Sequence, residues 1–147
     1  MSGDGQTIKL CDFGVSNQLD RTRSLTEARG TFRFMSPELL ESKLTNKADV
    51  WAIGCIILQF VTGVLPFHGK ANEMSISIKI VSGVTPLDYA AQQLKNELFE
   101  AESLEAGNSI YCQNPKLRQF IEECLTWDYT RRPTSEDLLV SPFLQDP

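Results

Sequence analysis

The sequence predicts a mainly α-helical fold in one domain, with a short strand near its N-terminus. The chain has 147 residues, which is the length of a single domain. Two observations favour helices: several apolar segments end at glycine, and one segment has apolar residues at helical spacing. Apolar residues make up 41% of the chain, which is enough for a hydrophobic core.

The strand and a long loop come first in the chain. Thr7–Cys11 alternates weakly between polar and apolar residues after a turn at 3–6, which is typical of a short strand. Residues 14–37 have few apolar side chains and no sustained period, so we predict a loop. A loop of this length inside a compact domain is usually functional or disordered.

A long helix is predicted in the middle of the chain, after a short helix from Pro37 to Leu40. The long helix begins at Thr45 or Asn46 and ends at Gly63. Apolar residues occupy all of its faces, which indicates a buried helix. Its β-branched residues make a buried strand the alternative, but the length of the segment favours the helix.

Shorter helices are predicted further along the chain. They span 72–81, 92–106 and 116–126, and the last begins at Thr134 or Ser135. Helix 116–126 has a single apolar face, formed by Leu117, Phe120, Ile121, Cys124 and Leu125.

Charge and composition argue against several classes of protein. The net charge is −5, which does not favour binding to a nucleic-acid backbone. Four cysteines without a C-x-x-C pair, and one histidine, do not make a structural zinc site. The longest apolar stretch, Val50–Leu58, is far shorter than the ~20 residues of a membrane-spanning helix. Cysteines among apolar residues favour a cytoplasmic location, with entry into the nucleus left open.

Asp12, in IKLCDFG, is the first residue that points to chemistry. It follows the predicted strand and precedes a flexible glycine, and a carboxylate at the end of a strand can bind Mg²⁺. Taken alone, three letters are a weak signal, and an aspartate in a turn explains them more simply. Further motifs follow it, namely GTFRFMSPE at 30–38, DVWAIG at 49–54, TGVLPF at 62–67, RRPT at 131–134 and SPFL at 141–144.

The order and spacing of these motifs resemble the C-terminal lobe of the eukaryotic protein kinases, from about Thr7 to Leu144. The resemblance implies an incomplete, protein-kinase-like C-lobe, with an activation segment at 12–38 and a helical subdomain at 39–147. The stretches IKLCDFGVSNQL and FMSPELL look most like the MAP kinase kinases. The stretch VWAIGCIILQFVTG fits other branches as well, so the subfamily stays open.

The resemblance implies chemical roles for four residues. Asp12 would hold the Mg²⁺ that bridges to the phosphates of ATP. Phe13 matches the aromatic residue whose packing distinguishes active from inactive forms, and Gly14 matches the hinge of the activation segment. Thr31 matches the threonine that contacts the catalytic aspartate and seats the acceptor hydroxyl, which implies Ser/Thr specificity. The implied reaction transfers the γ-phosphoryl group of ATP to a protein substrate.

The resemblance also implies a structural framework. Glu38 lies in S-P-E, where the family has A-P-E, and would form a bidentate ion pair with Arg132. This pair would pin the activation segment to the final helices. Asp49 resembles the aspartate that holds the backbone of the catalytic loop, and Trp51 belongs to the scaffold of the same helix. Helix 92–106 is either a partner site or a surface helix that covers the lobe.

Residues 15–29 are the candidate regulatory segment. Ser24 and Thr26 lie among arginines that could pair with phosphate, so both are candidates for phosphorylation by an upstream kinase. Glu27 takes the position that is phosphorylated in many relatives. Its carboxylate either replaces part of the phosphate charge or is simply solvated, and both interpretations stay open. Cys11 is better explained as a small apolar residue of the strand than as a reactive thiol.

Three catalytic elements of the family are not found in this sequence. They are the glycine-rich loop, the strand lysine with its helix glutamate, and H-R-D-x-K-x-x-N. We therefore expect the N-lobe and catalytic loop to be absent, Met1 to be an internal methionine or a deliberate cut, and this chain alone to be inactive. We also expect an exposed apolar face on helix 46–62, which relatives cover with upstream segments. The alternative function is a non-catalytic, kinase-like interaction module.

Overall fold

The computed structural model describes residues 9, 11, 32–68, 72–92 and 113–145. Within these ranges a 3-10 turn at Phe32–Phe34 is followed by seven helices of which more than one residue is described. They are α1 (Pro37–Leu40), α2 (Lys47–Thr62), α3 (Glu73–Val81), α4 (helical over the described residues 86–92), α5 (Pro115–Cys124), α6 (Ser135–Leu139) and α7 (Pro142–Gln145). The described part of the chain is thus helical, which confirms the predicted class. None of these helices is long and apolar enough to cross a membrane.

The long central segment is a helix and not a strand. α2 ends at Gly63, which has a φ of 71° and whose N–H donates to the Gln59 carbonyl over 2.8 Å. This left-handed C-cap is the conformation that glycine adopts without steric cost, so the sequence signal for the end of the helix is confirmed. α1 spans Pro37–Leu40, as predicted.

Helix α4 begins earlier than the predicted helix 92–106, of which only the first residue is described. Thr85 and Asp88 cap its N-terminus. The Thr85 N–H donates to Asp88 Oδ2 over 2.9 Å, and the Asp88 N–H donates to Thr85 Oγ1 over 3.1 Å. This reciprocal pair is a capping box, and Pro86 directly follows its first residue. The T-P-L-D signal at 85–88 therefore marks a helix start that the sequence analysis missed.

The main core lies between α2 and α5. It is formed by Trp51, Cys55, Leu58, Ala90, Leu117, Ile121 and Leu125. The two helices approach closely at Gly54, because a Cβ placed there would lie 2.7 Å from the Cys124 Cβ. Only glycine fits such a contact without moving a neighbour.

One face of α2 is exposed and apolar. Ile53, Ile56 and Phe60 follow each other at helical spacing, and their exposed fractions are 40%, 45% and 84%. Among the described residues α2 is therefore buried on one side only. Asp49, in its first turn, is exposed and continues the same helical spacing toward the N-terminus.

A second cluster anchors the loop between α2 and α3. Phe67, Ile76 and Ile80 are buried together, and the Phe67 ring lies 5.6 Å from the Tyr89 ring. Asn72 caps α3 by accepting a hydrogen bond from the Ser75 N–H over 2.9 Å. The cluster fixes the loop 63–68 against α3 and α4.

The predicted strand Thr7–Cys11 lies outside the described residues, except for Lys9 and Cys11. Both of these residues are exposed, and neither is assigned to a strand. The rest of the predicted helix 92–106 also lies outside the described residues.

Candidate functional site

Glu38 and Arg132 form a buried, bidentate ion pair. Arg132 Nη1 lies 2.7 Å from Glu38 Oε1, and Nη2 lies 3.1 Å from Oε2. Each residue is only 1% exposed. Two parallel N–H···O bonds between a guanidinium and a carboxylate give the pair a fixed orientation as well as a charge contact. The structure therefore brings together the two residues that the sequence analysis paired.

The remaining donors of Arg132 are directed at backbone carbonyls. Nε donates to Thr126 over 3.0 Å, Nη1 to Lys47 over 2.9 Å and Nη2 to Trp127 over 3.3 Å. With the two bonds to Glu38, all five N–H groups of the guanidinium have a partner. A buried arginine with every donor bonded avoids most of the cost of desolvation.

Trp51 supports the ion pair from the core side. The Arg132 guanidinium carbon lies 5.0 Å from the centroid of its ring, which is within the range of a cation–π contact. Trp51 is fully buried in the main core. The ion pair thus joins α1 to the segment 126–132, and α2 packs against it through Trp51.

Two buried side-chain polar atoms have no hydrogen-bond partner among the described residues. They are the Ser36 hydroxyl oxygen and the Trp51 indole nitrogen. Ser36 directly precedes α1 and is fully buried, but its side chain does not cap the helix. A buried hydroxyl without a hydrogen bond carries a desolvation cost that alanine, the residue of the family's A-P-E, would not carry.

Two buried cysteines lie near the pair. Burial is the main cause that raises the pKa of both thiols, for Cys124 to about 12, while the nearby Arg132 acts in the opposite direction. Both thiols are therefore protonated at neutral pH and unsuited to nucleophilic chemistry.

Arg33 is a residue that the sequence analysis missed. Its Nη1 donates to the Pro66 carbonyl over 3.0 Å and to the Phe67 carbonyl over 2.5 Å. These bonds join the turn Phe32–Phe34 to the loop between α2 and α3. The two motifs GTFRFMSPE and TGVLPF, which are separate in the sequence, thus meet at this arginine.

Comparison with known protein families identifies the family to which this chain belongs. The family model described as "Protein kinase domain" matches residues 1–144. The chain belongs to the protein kinase family. Its motifs and its anchored S-P-E segment can therefore be interpreted as those of a kinase.

Similar proteins support the same family. The chain is 31% identical to serine/threonine-protein kinase Nek9 of Xenopus laevis over 93% of its length, which is 13% of that relative. It is 30% identical to dual specificity mitogen-activated protein kinase kinase sek-1 of Caenorhabditis elegans over 94%, which is 37% of that relative. It is 35% identical to serine/threonine-protein kinase SSK22 of Saccharomyces cerevisiae over 90%, which is 8% of that relative. The chain therefore spans from less than a tenth to little more than a third of these kinases.

Several of the predicted kinase residues lie outside the described residues. They are Asp12, Phe13, Gly14, Ser24, Thr26 and Thr31. Their roles remain predictions from the family's motifs. Asp49 and Trp51 are described, on the exposed and buried sides of α2 respectively.

Proposed function

We propose that the full-length protein that carries this chain is a protein kinase, which transfers the γ-phosphoryl group of ATP to Ser or Thr hydroxyls of a protein substrate. The chain's membership of the kinase family supports this proposal. The names of its relatives include both serine/threonine and dual-specificity kinases. The G-T pair at Gly30 and Thr31 favours Ser/Thr acceptors.

The observation that carries the proposal is the Glu38–Arg132 pair. It fixes the end of the segment 12–38, in which the motifs place both Asp12 and Thr31. An enzyme that transfers a phosphoryl group depends on positioning of the reacting groups, so a rigid anchor for this segment fits the reaction. Arg132 supplies that anchor with five hydrogen bonds.

ATP and Mg²⁺ are the cofactors of the proposed reaction. Asp12 is the residue of this chain that would hold the metal, since a carboxylate oxygen is a ligand that Mg²⁺ accepts. Bound Mg²⁺ neutralises negative charge on the phosphates. Thr31 would orient the acceptor hydroxyl.

Regulation by an upstream kinase is a further part of the proposal. Ser24 and Thr26 have Arg21, Arg23 and Arg29 as neighbours in the sequence, and each arginine could pair with phosphate. Mass spectrometry of the protein isolated from its native cells should detect phosphate at Ser24 or Thr26. Complete peptide coverage without phosphate at either residue would refute the switch.

A cytoplasmic location is proposed as well. Free, buried cysteines at 55 and 124 fit a reducing compartment. Fluorescence microscopy of the tagged full-length protein should place it in the cytoplasm, and a secreted product would contradict the proposal.

A non-catalytic interaction module is the second candidate function. The exposed apolar face of Ile53, Ile56 and Phe60 favours it, because such a face is suited to a partner.

A phosphotransfer assay separates the two functions. The full-length protein is incubated with Mg²⁺, labelled ATP and a degenerate peptide library that contains Ser and Thr. We expect wild type and the exposed control Glu73→Gln to label the library, and Asp12→Asn to lose activity by at least about 100-fold. An inactive wild type, or labelling that Asp12→Asn does not reduce, would contradict the kinase proposal and favour the module.

A further inference from the structure

We propose that Arg33 is a positioning residue for the acceptor substrate, because it locks the turn that follows Thr31 onto a rigid loop. The inference rests on the proposed kinase function, in which Thr31 seats the acceptor hydroxyl. It goes beyond that function by assigning the position of the turn to one arginine.

The contact has two bonds from one nitrogen. Arg33 Nη1 donates to the Pro66 carbonyl over 3.0 Å and to the Phe67 carbonyl over 2.5 Å. Bonds from a charged donor are stronger than those from a neutral one. The acceptors are backbone atoms, so their positions do not depend on the rotamer of a side chain in the loop.

The loop that receives Arg33 is itself firmly held. Phe67 is fully buried in the cluster with Ile76 and Ile80, although its φ of 53° lies in the left-handed region. A phenylalanine keeps such a conformation only where the surroundings determine it. The Phe67 carbonyl is therefore a fixed acceptor.

A second set of contacts fixes the same loop from α4. The Tyr89 hydroxyl donates to the His68 carbonyl, and the Tyr89 ring packs against Phe67 at 5.6 Å. The Lys79 ammonium lies 4.4 Å from the centroid of the Tyr89 ring. The His68 N–H closes the loop by donating to the Leu65 carbonyl over 3.0 Å.

On the other side of the contact is the turn Phe32–Phe34. Phe34 packs against the main core, and the Met35 N–H closes the turn by donating to the Phe32 carbonyl over 3.2 Å. The turn is thus held by the core at one end and by Arg33 in its middle. Phe32 directly follows Thr31 in the sequence, so Arg33 holds the residue next to Thr31 in the chain.

Hydrogen exchange tests the lock itself. In the full-length protein we expect Arg33→Ala to accelerate exchange of the Met35 and His68 amides by about tenfold or more, which would correspond to a loss of local protection. The Leu125 amide in the main core, which donates to Ile121, serves as the internal reference and should not change. The exposed Arg131→Ala is the matched control. Unchanged exchange at Met35 and His68 would overturn the proposal.

Steady-state kinetics test the positioning. We expect Arg33→Ala to raise the KM for the acceptor peptide about tenfold, with the KM for ATP unchanged, because a misplaced turn weakens acceptor binding alone. Arg33→Lys should fall between wild type and Arg33→Ala, since lysine retains the charge but not the fork. An unaltered acceptor KM, or an equal rise of both KM values, would refute the inference.

Tyr89→Phe separates positioning from direct contact. It removes the bond to the His68 carbonyl and leaves Arg33 intact. If Arg33 acts through the loop, Tyr89→Phe should also raise the acceptor KM, by less than Arg33→Ala. An effect of Arg33→Ala together with none of Tyr89→Phe would contradict the proposed route. A wild-type protein without activity would refute the proposed function, while the exchange experiment would still decide whether Arg33 locks the turn.

Discussion

Arg132 holds Glu38, 94 residues away in the sequence, with two parallel hydrogen bonds in a fully buried site. The same guanidinium bonds three backbone carbonyls, so one side chain joins α1, the start of α2 and the segment 126–132. The C-terminal end of the segment 12–38 is therefore fixed to the C-terminal part of the chain.

Removal of Glu38 should strongly destabilise the protein. Glu38→Ala leaves the Arg132 charge buried without its carboxylate, and we expect a loss of about 3–5 kcal/mol in the free energy of unfolding. Urea unfolding measures this loss. The control is Glu41→Ala, because Glu41 pairs with Lys43 on the surface and should cost no more than about 1 kcal/mol. A Glu38→Ala variant as stable as the control would contradict the role of the pair.

Ser36 and Ser141 make a matched test of buried hydroxyls. Each is buried and directly precedes a proline that begins a four-residue helix. The Ser141 hydroxyl accepts a hydrogen bond from the Phe143 N–H, whereas the Ser36 hydroxyl has no partner in the described part of the chain. We expect Ser141→Ala to cost about 1 kcal/mol and Ser36→Ala to be neutral or stabilising. Equal losses in thermal or urea unfolding would show that Ser36 is bonded.

Gly54→Ala should disrupt the contact between α2 and α5. The added Cβ would lie 2.7 Å from the Cys124 Cβ, and we expect a cost of at least about 1–3 kcal/mol. The second variant, Cys124→Gly, removes that Cβ. The double variant should therefore lose less free energy of unfolding than the sum of the losses of the two single variants. Gly63→Ala, where the space around a Cβ is open, should simply add to Cys124→Gly. Strict additivity of Gly54→Ala with Cys124→Gly would argue against the close contact.

The buried thiols make the free energy of unfolding depend on pH in the alkaline range. In the folded state burial raises the pKa of Cys124 from its ordinary value near 9 to about 12, and that of Cys55 rises as well. Between these values the unfolded thiol loses its proton while the folded thiol keeps it, so the free energy of unfolding should fall as pH rises above about 9. Urea unfolding at pH 8, 9 and 10 measures the slope. Replacement of Cys124 by alanine should make it shallower, and an unchanged slope would contradict this account.

Thiol labelling gives a second measurement of the same burial. Cys11 is exposed, in contrast to the small apolar strand residue that the sequence analysis expected, so an alkylating reagent should reach it rapidly at pH 8. In a variant with Cys11→Ser and Cys112→Ser, the remaining thiols should react only when the protein unfolds. Rapid labelling of the folded variant would show that Cys55 or Cys124 is accessible.

The sequence predicted the elements whose signals are local. Gly63 ends α2, and Pro37 opens α1 at the expected residue, because a left-handed cap and a first-turn proline each depend on one residue. The T-P-L-D capping box of α4 was equally local but was overlooked in a polar region.

Long-range contacts were predictable only where the family's motifs supplied them. The motifs paired Glu38 with Arg132, but no periodicity in the sequence indicates the bonds from Arg132 to Thr126, Lys47 and Trp127. The sequence analysis did not identify Arg33, because its acceptors are backbone carbonyls and the types of the side chains do not reveal them. The burial of Ser36 and the exposure of Phe60 likewise depend on tertiary packing.

The most direct test of the proposed function is the position of phosphate on acceptor peptides after incubation with the full-length protein, Mg²⁺ and ATP. Mass spectrometry identifies the modified residue and measures its amount. We predict phosphate on Ser and Thr, reduced to background by Asp12→Asn without a change in the thermal unfolding midpoint. Phosphate on Tyr alone, or none with the folded wild-type protein, would contradict the proposal of a Ser/Thr protein kinase.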